Sequence, residues 1–229
     1  MNRSKIAYTN AQVPWYYGWN PCGFGCSRGC PYCWAKGQSV RFGEHWKCEK
    51  CRTFEPHFHP ERLDEPAKKK KAGVVLTDFT GEILSNLRWA NRTFDAAFAA
   101  PWHEYVFLTH CGALINGLYT PRNWHMGVSV TTNDDWAKLM PRYKRWLSLE
   151  PFQYAPDFTG VDWCSGVIIG SEQQDRIPCD VAEVERVIHQ CHEKNIPVYV
   201  KHLPMSKIEG RIWMLNNKDL PWSMPKGTT

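Results

Sequence analysis

Three cysteines near the amino terminus have the spacing of a metal-binding motif. Cys26, Cys30 and Cys33 occur in CSRGCPYC, separated by three and then by two residues. A cubane cluster of four irons is normally held by four thiolates, so three thiolates leave one iron free to bind a small molecule. Cys22 does not start this register, because Gly29 stands where its third cysteine would be needed. The spacing predicts a [4Fe–4S] cluster on the three cysteines; a zinc knuckle or buried thiols are the alternatives.

A second group of candidate metal ligands follows within the next thirty residues. Cys48 and Cys51 form a pair in KCEKC, and His57 and His59 come shortly after it. Cysteine pairs with this spacing bind zinc together with two further nitrogen or sulfur ligands. The histidine spacing is not that of a zinc finger, so reduced surface thiols are the alternative to zinc or another auxiliary metal.

Composition favours one cytoplasmic domain with metal or redox chemistry. The chain has 229 residues, 43% of them hydrophobic, and a formal net charge of +5. Ten cysteines in a chain without a secretion signal indicate metal binding rather than disulfides. No apolar run approaches the roughly 20 residues needed to cross a bilayer, so we expect no membrane partner.

Apolar runs and helical segments alternate along the chain. Near-continuous apolar runs are typical of strands that are covered on both faces, and their alternation with helices predicts parallel βα units. We expect an α/β fold, a partial (β/α)6-type TIM barrel over residues 1–202, with the cluster loop (19–35) at its C-terminal face and a metal-binding insertion at 44–60. Residues 203–229 would form an extension packed on the barrel. The predicted strands are 73–79, 104–110, 125–130, 145–150, 165–170 and 196–202, and the predicted helices are 83–98 and 180–195.

The cysteine motif resembles the signature of the radical S-adenosylmethionine superfamily, in which an aromatic residue such as Tyr32 precedes the third cysteine. In that superfamily the open iron chelates the amino and carboxylate groups of S-adenosylmethionine. Reductive cleavage then gives a 5′-deoxyadenosyl radical that abstracts hydrogen from a substrate. The resemblance implies a [4Fe–4S] cluster and S-adenosylmethionine as cofactors, and a reductant such as flavodoxin or ferredoxin as a partner.

Further segments match the cofactor-binding positions of the superfamily. TDFTGEI places Thr80, Gly81 and Glu82 where the superfamily has a glycine-rich loop ending in an acid that contacts the amino group of S-adenosylmethionine. The match is partial, because Thr80 stands in place of a glycine. Ser129 would contact the ribose or carboxylate of the cofactor, or be a plain strand-end serine. The segment GVIIGSE resembles the strand that packs beside adenine, through Gly166, Ile168 and Gly170.

The chain is also similar to one radical-SAM-like family of phages and prophages, related to spore photoproduct lyase. Members of that family usually have a longer gap between the first two cluster cysteines than this chain has. The similarity rests on WNP (19–21), the GC and CWA of the cluster loop, FHPERLDEP (58–66), GVSV (127–130), SLEPF (148–152), IIGSE (168–172) and PVYVKHL (197–203).

Four residues at strand ends are candidate catalytic groups. Glu150, Glu172 and Lys201 could hold a substrate amine, hydroxyl or phosphate, or form an internal ion pair. Cys111 could return a hydrogen atom to a product radical, as a cysteine does in the similar spore photoproduct lyase, or be an inert buried thiol.

The resemblance to phage proteins and to spore photoproduct lyase suggests a nucleobase or nucleotide substrate, such as a modified thymine in phage-type DNA, and an isomerase, lyase or base-modifying reaction. A duplex base would have to be flipped out to reach the radical. There are two alternatives: the substrate is a peptide or small metabolite, or the protein is a non-catalytic metal-stabilised nucleic-acid binder.

Lys68 to Lys71 should lie at the amino-terminal end of a strand, away from the site. Aromatic residues near the cluster that could contact a base are Trp15, Tyr16, Tyr17, Trp19 and Trp34.

Overall fold

The structure of the protein is a computed structural model that describes residues 1–3, 16–172 and 177–203. The described chain forms two compact units. Of the described residues, the first unit comprises those within 1–109 and 121–124, and the second comprises those within 110–120 and 125–203. The extension is predicted to begin at residue 203. Residues 204–229 lie outside the described part of the chain, so the boundary of the extension stays a prediction.

The first unit contains four strands and the segments that carry both groups of metal-ligand candidates. Strand β1 (Asn2–Arg3) is antiparallel to β2 (Tyr16–Trp19), and β2, β3 (Val74–Thr77) and β4 (Glu104–Thr109) pair in parallel in chain order. Its helices are α1 (Trp34–Arg41), α2 (Glu49–Thr53), α3 (Glu65–Lys68) and α4 (Leu87–Phe98), with 3-10 turns at Gly43–His45, Pro60–Arg62 and Ile83–Ser85.

The second unit repeats the strand and helix alternation. Strands β5 (Trp124–Ser129), β6 (Arg145–Leu149), β7 (Cys164–Gly170) and β8 (Val198–His202) pair in parallel in chain order. Trp124, the first residue of β5, belongs to the first unit. Its helices are α5 (Gly112–Ile115), α6 (Asn133–Ala137) and α7 (Val181–Glu193).

The strands form the cores of the two units because their side chains are apolar on both faces. All four residues of β3 and all five of β6 are buried. In the first unit, Phe94 of α4 packs edge-on against Phe107 of β4, with ring centroids 5.5 Å apart. In the second, α7 begins where the side chain of Asp180 accepts a hydrogen bond from the Ala182 amide at 2.9 Å. Glu183, in the first turn of this helix, pairs with Arg186 at 2.7 Å.

The α/β class and the parallel strands are confirmed, whereas the partial (β/α)6 barrel stays a prediction. Each of the six predicted strands occurs within two residues of its expected bounds. The predicted helix 83–98 is interrupted at Asn86, whose side chain caps the amino end of α4. Strand β2 was not predicted. No helix among the described residues is long and apolar enough to cross a membrane.

Candidate metal centres

The cluster loop, predicted at residues 19–35, comprises residues 20–33 in the structure and connects the carboxyl end of β2 to α1. Cys33 caps α1, since its Sγ accepts a hydrogen bond from the Lys36 amide at 3.4 Å, and the Cys33 amide donates to the Cys30 carbonyl at 3.2 Å. The Sγ of Cys26 accepts from the Arg28 amide at 3.4 Å. The three cysteines of the motif line one cavity of about 140 Å³. The structure therefore brings together the three thiols that the sequence selected.

The thiol of Cys26 lies close to other groups that carry or can gain negative charge. Burial raises its pKa, and the charges of Glu82, Cys30 and Cys33 raise it further, while the Arg28 amide acts in the opposite direction. Negative charges at these positions repel one another, so a bound cation would favour the thiolate form of Cys26.

A second loop, Asp78 to Glu82, follows β3 at the same edge of the sheet and binds the cluster loop; it is called the acidic loop below. The hydroxyl of Thr80 donates to the Gly23 carbonyl at 2.6 Å, and Gly81 forms a parallel bridge with Gly25. Thr80, which departs from the superfamily pattern, thus fastens the two loops together. The carboxylate of Glu82 is buried and accepts from the Leu84 amide at 3.2 Å and the Thr109 hydroxyl at 2.5 Å.

Asp78 holds the start of the cluster loop, and the sequence analysis missed it. Its φ of 55° is left-handed, its amide donates to the Trp19 carbonyl at 2.9 Å, and its Oδ1 accepts from the Cys22 amide at 2.8 Å. Complete burial raises the pKa of Asp78 to about 7. Burial and the Asp78 charge also raise the pKa of the Cys22 thiol, which favours its neutral form. An acidic residue directly after a buried strand was the available signal.

The second group of ligand candidates, called the quartet below, converges on one point. The ligand atoms of Cys48, Cys51, His57 and His59 all lie within 4.8 Å of one another and could hold a metal ion. The Nε2 of His57 is 3.5 Å from the Cys48 sulfur and 3.2 Å from that of Cys51. The Nε2 of His59 is 3.4 Å from the Cys51 sulfur and 2.8 Å from the Nε2 of His57. Cys51 is 0% exposed, and both histidines are buried.

The second unit contains the remaining predicted site residues. Ser129 ends β5 and is buried; Glu172 is buried just after β7. Lys201 of β8 forms an ion pair with Glu150, which follows β6, as in the internal-pair alternative. Cys111 is half-buried and precedes α5. The residues predicted to lie beside adenine, Gly166, Ile168 and Gly170, are all in β7.

The aromatic residues near the cluster differ in accessibility. Tyr16, Tyr17 and Trp19 are buried in the core, so the expectation that they contact a base is wrong for these three. Trp34 is 51% exposed and is accessible to a partner. Trp15 lies outside the described residues. Lys68 to Lys71 precede β3 and therefore lie at its amino-terminal end, opposite the acidic loop, as predicted.

Fold and site together define an α/β protein with two features. One is a mostly buried group of two cysteines and two histidines that could hold a metal, and the other is a three-cysteine loop at the carboxyl end of a parallel strand. The chain belongs to the family DUF5131, described as proteins of unknown function, whose match covers residues 3–209. No curated protein and no solved structure matches it.

Proposed function

We propose that the protein is a radical S-adenosylmethionine enzyme whose [4Fe–4S] cluster is held by Cys26, Cys30 and Cys33. The observation that carries the proposal is that these three thiols line one cavity at the carboxyl end of a parallel strand. Active sites of barrel-type α/β enzymes lie at this edge. A three-thiolate set leaves one iron open for a ligand.

Such a cluster would supply the electron that cleaves S-adenosylmethionine to a 5′-deoxyadenosyl radical. Glu82 is the residue we assign to the amino group of S-adenosylmethionine. Its charge acts on the Cys26 thiol, and hydrogen bonds from Leu84 and Thr109 fix its carboxylate. A buried carboxylate with a fixed position is suited to accept from an ammonium group, because little ordering remains to be done on binding.

The substrate we propose is a nucleobase or nucleotide, such as a modified thymine in phage-type DNA. The segment from Arg28 to Thr53, which contains the end of the cluster loop, α1 and α2, has six basic and two acidic residues. Trp34 and Phe42 of this segment are exposed large aromatics. Basic side chains interleaved with exposed aromatics are typical of surfaces that bind single-stranded nucleic acids, because cations contact phosphates and rings stack on bases. A peptide or small-metabolite substrate is the alternative within the same chemistry.

A second candidate function is that of a metal-stabilised nucleic-acid-binding protein without catalysis. The quartet favours it, because a Cys2His2 group can stabilise a binding module without taking part in a reaction. This candidate requires no cluster on Cys26, Cys30 and Cys33.

The two functions are separated by cleavage of S-adenosylmethionine. The protein is purified without oxygen, reconstituted with iron and sulfide, reduced, and assayed for 5′-deoxyadenosine and methionine. We expect cleavage by the wild type, its loss in Cys30→Ser, and its retention in Cys22→Ala, the matched change at the loop cysteine outside the register. A wild type that binds no iron and cleaves nothing would refute the enzyme and leave the binding module.

The substrate class is tested separately, with the active protein. Transfer of deuterium from labelled single-stranded DNA into 5′-deoxyadenosine would support a nucleobase or nucleotide substrate. Transfer only from labelled peptides or small metabolites would contradict it.

A further inference from the structure

We propose that the quartet is a closed structural zinc site that holds the cluster loop in its folded shape. This inference concerns Cys48, Cys51, His57 and His59, and it does not depend on what Cys26, Cys30 and Cys33 bind. The structure supports it through the spacing of the ligand atoms, the hydrogen bonds of the two histidines, and the contacts between the quartet and the cluster loop.

The spacing of the ligand atoms fits tetrahedral zinc. With Zn–S near 2.3 Å and Zn–N near 2.05 Å, the edges of an S2N2 tetrahedron measure about 3.3 to 3.8 Å. Three of the four sulfur-to-nitrogen distances in the quartet are 3.5, 3.2 and 3.4 Å. The two nitrogens are closer, at 2.8 Å, so a bound ion would move them slightly apart. Thiolate and imidazole together in a tetrahedral set favour zinc over magnesium or calcium.

The hydrogen bonds of the two histidines leave their Nε2 atoms directed at one point. The Nδ1 of His57 lies 2.7 Å from the Glu55 carbonyl, which can only accept, so this nitrogen carries a proton. The Nδ1 of His59 lies 2.6 Å from the Glu61 carboxylate and donates to it. With both Nδ1 atoms engaged in this way, the two Nε2 atoms face each other at 2.8 Å, where they can bind one metal ion between them.

The surroundings of the quartet are those of a structural metal site. Metal-bound histidines usually donate their second ring nitrogen to a carbonyl or carboxylate, as both do here. Four protein ligands fill a tetrahedral zinc and leave no position for water or substrate, which distinguishes structural from catalytic zinc. Two thiolates also neutralise the charge of Zn²⁺ at a site where Cys51 is fully buried.

The quartet supports the middle of the cluster loop through close contact. A Cβ added to Gly23 would lie 2.7 Å from the Nε2 of His57 and 2.9 Å from the Cδ2 of His59. A Cβ added to Gly25 would lie 2.0 Å from the Glu55 carbonyl oxygen. The backbone of the cluster loop is therefore in direct contact with the imidazoles and with the segment 55–59 that orients them, at positions where only glycine fits.

The start of the cluster loop is attached to the same segment by hydrogen bonds. The His59 amide donates to the Pro21 carbonyl at 2.7 Å, and Arg62 donates to the Asn20 carbonyl at 3.0 Å. The indole of Trp19 donates to the Arg62 carbonyl at 2.8 Å. Since His59 is itself a ligand, fixing the metal fixes the backbone that precedes Cys26.

Metal content tests the site. Zinc per chain is measured in the wild type, in the variant Cys26→Ser, Cys30→Ser, Cys33→Ser, in the matched variant Cys48→Ser, Cys51→Ser, and in His45→Ala as the control for an exposed histidine. We expect about one zinc per chain in all but the Cys48, Cys51 variant. Zinc that leaves with the Cys26, Cys30, Cys33 variant instead, or that stays in the Cys48, Cys51 variant, would overturn the proposal.

Hydrogen exchange tests the effect on the cluster loop without relying on a variant that must fold. In the Cys26, Cys30, Cys33 variant no cluster can form, so any change comes from the quartet. Removing zinc with a chelator should make amides of residues 20–25 exchange at least about tenfold faster, and adding zinc back should restore their protection. A change confined to residues 48–59 would contradict the supporting role, and no change in either segment would contradict the site.

Discussion

Gly25→Ala should destabilise the protein because it forces apart two backbone segments that touch. The added Cβ would lie 2.0 Å from the Glu55 carbonyl oxygen and 2.6 Å from its carbon, whereas ordinary contacts begin at 3.4 Å. One segment must therefore move by about 1.4 Å. Overpacking of this kind costs about 1 to 3 kcal/mol, and we expect the upper half of that range because both partners are backbone.

The assay is urea unfolding of the zinc-loaded protein, followed by circular dichroism, together with zinc content. Gly37→Ala is the matched control, since no heavy atom lies within 4 Å of its added Cβ and the residue is in the middle of α1. Alanine should stabilise that helix by about 1 kcal/mol. An unfolding free energy for Gly25→Ala within about 0.5 kcal/mol of the wild type would refute the close approach of the cluster loop to Glu55.

Three further predictions address single residues. Glu82→Gln keeps the acceptor for Leu84 and Thr109 but removes the negative charge. We therefore expect calorimetry to show at least about tenfold weaker binding of S-adenosylmethionine, with the zinc content unchanged. Equal affinity would show that Glu82 does not contact S-adenosylmethionine. The pKa of Asp78 is raised from 3.8 to about 7, so its protonated form is favoured in the folded state, and stability should fall as the pH rises from about 4 to 7. Asp78→Asn keeps the acceptor for the Cys22 amide, and asparagine tolerates the left-handed φ. The unfolding free energy of this variant, relative to the wild type, should therefore rise between about pH 4 and 7. A difference that stays constant with pH would contradict the raised pKa of Asp78. Lys201→Met leaves the partly buried Glu150 without its ion-pair partner and should lower the free energy of urea unfolding by about 1 to 3 kcal/mol. Adding Glu150→Gln should recover part of this loss. No recovery would show that the two residues are not coupled.

Much of the fold could be predicted because the strands are simple in sequence. Runs such as Val74 to Thr77 and Arg145 to Leu149 are buried throughout, and near-continuous apolar runs indicate strands between two covering layers. Strand β2 was missed because YYGW is short and contains a glycine, which weakens a strand signal. Its aromatic residues were interpreted as contacts for a base, although Tyr16, Tyr17 and Trp19 belong to the core.

The candidate ligands could be found from residue type, but their arrangement could not. The spacing of Cys48, Cys51, His57 and His59 matched no zinc finger, so the sequence left thiols and zinc open until the structure brought the four ligand atoms together. Asp78 was missed because its role depends on a left-handed backbone and complete burial, which no local pattern specifies. The contact of Gly25 with Glu55 joins segments thirty residues apart and is likewise a property of the folded chain.

The most direct test of the central claim is the electron paramagnetic resonance spectrum of the reconstituted and reduced protein, recorded with and without S-adenosylmethionine. A cluster on Cys26, Cys30 and Cys33 with an open iron predicts a reduced-cluster signal that shifts when S-adenosylmethionine is added, persists in Cys22→Ala and disappears in Cys30→Ser. A signal that does not respond to S-adenosylmethionine, or that survives Cys30→Ser, would contradict the assignment.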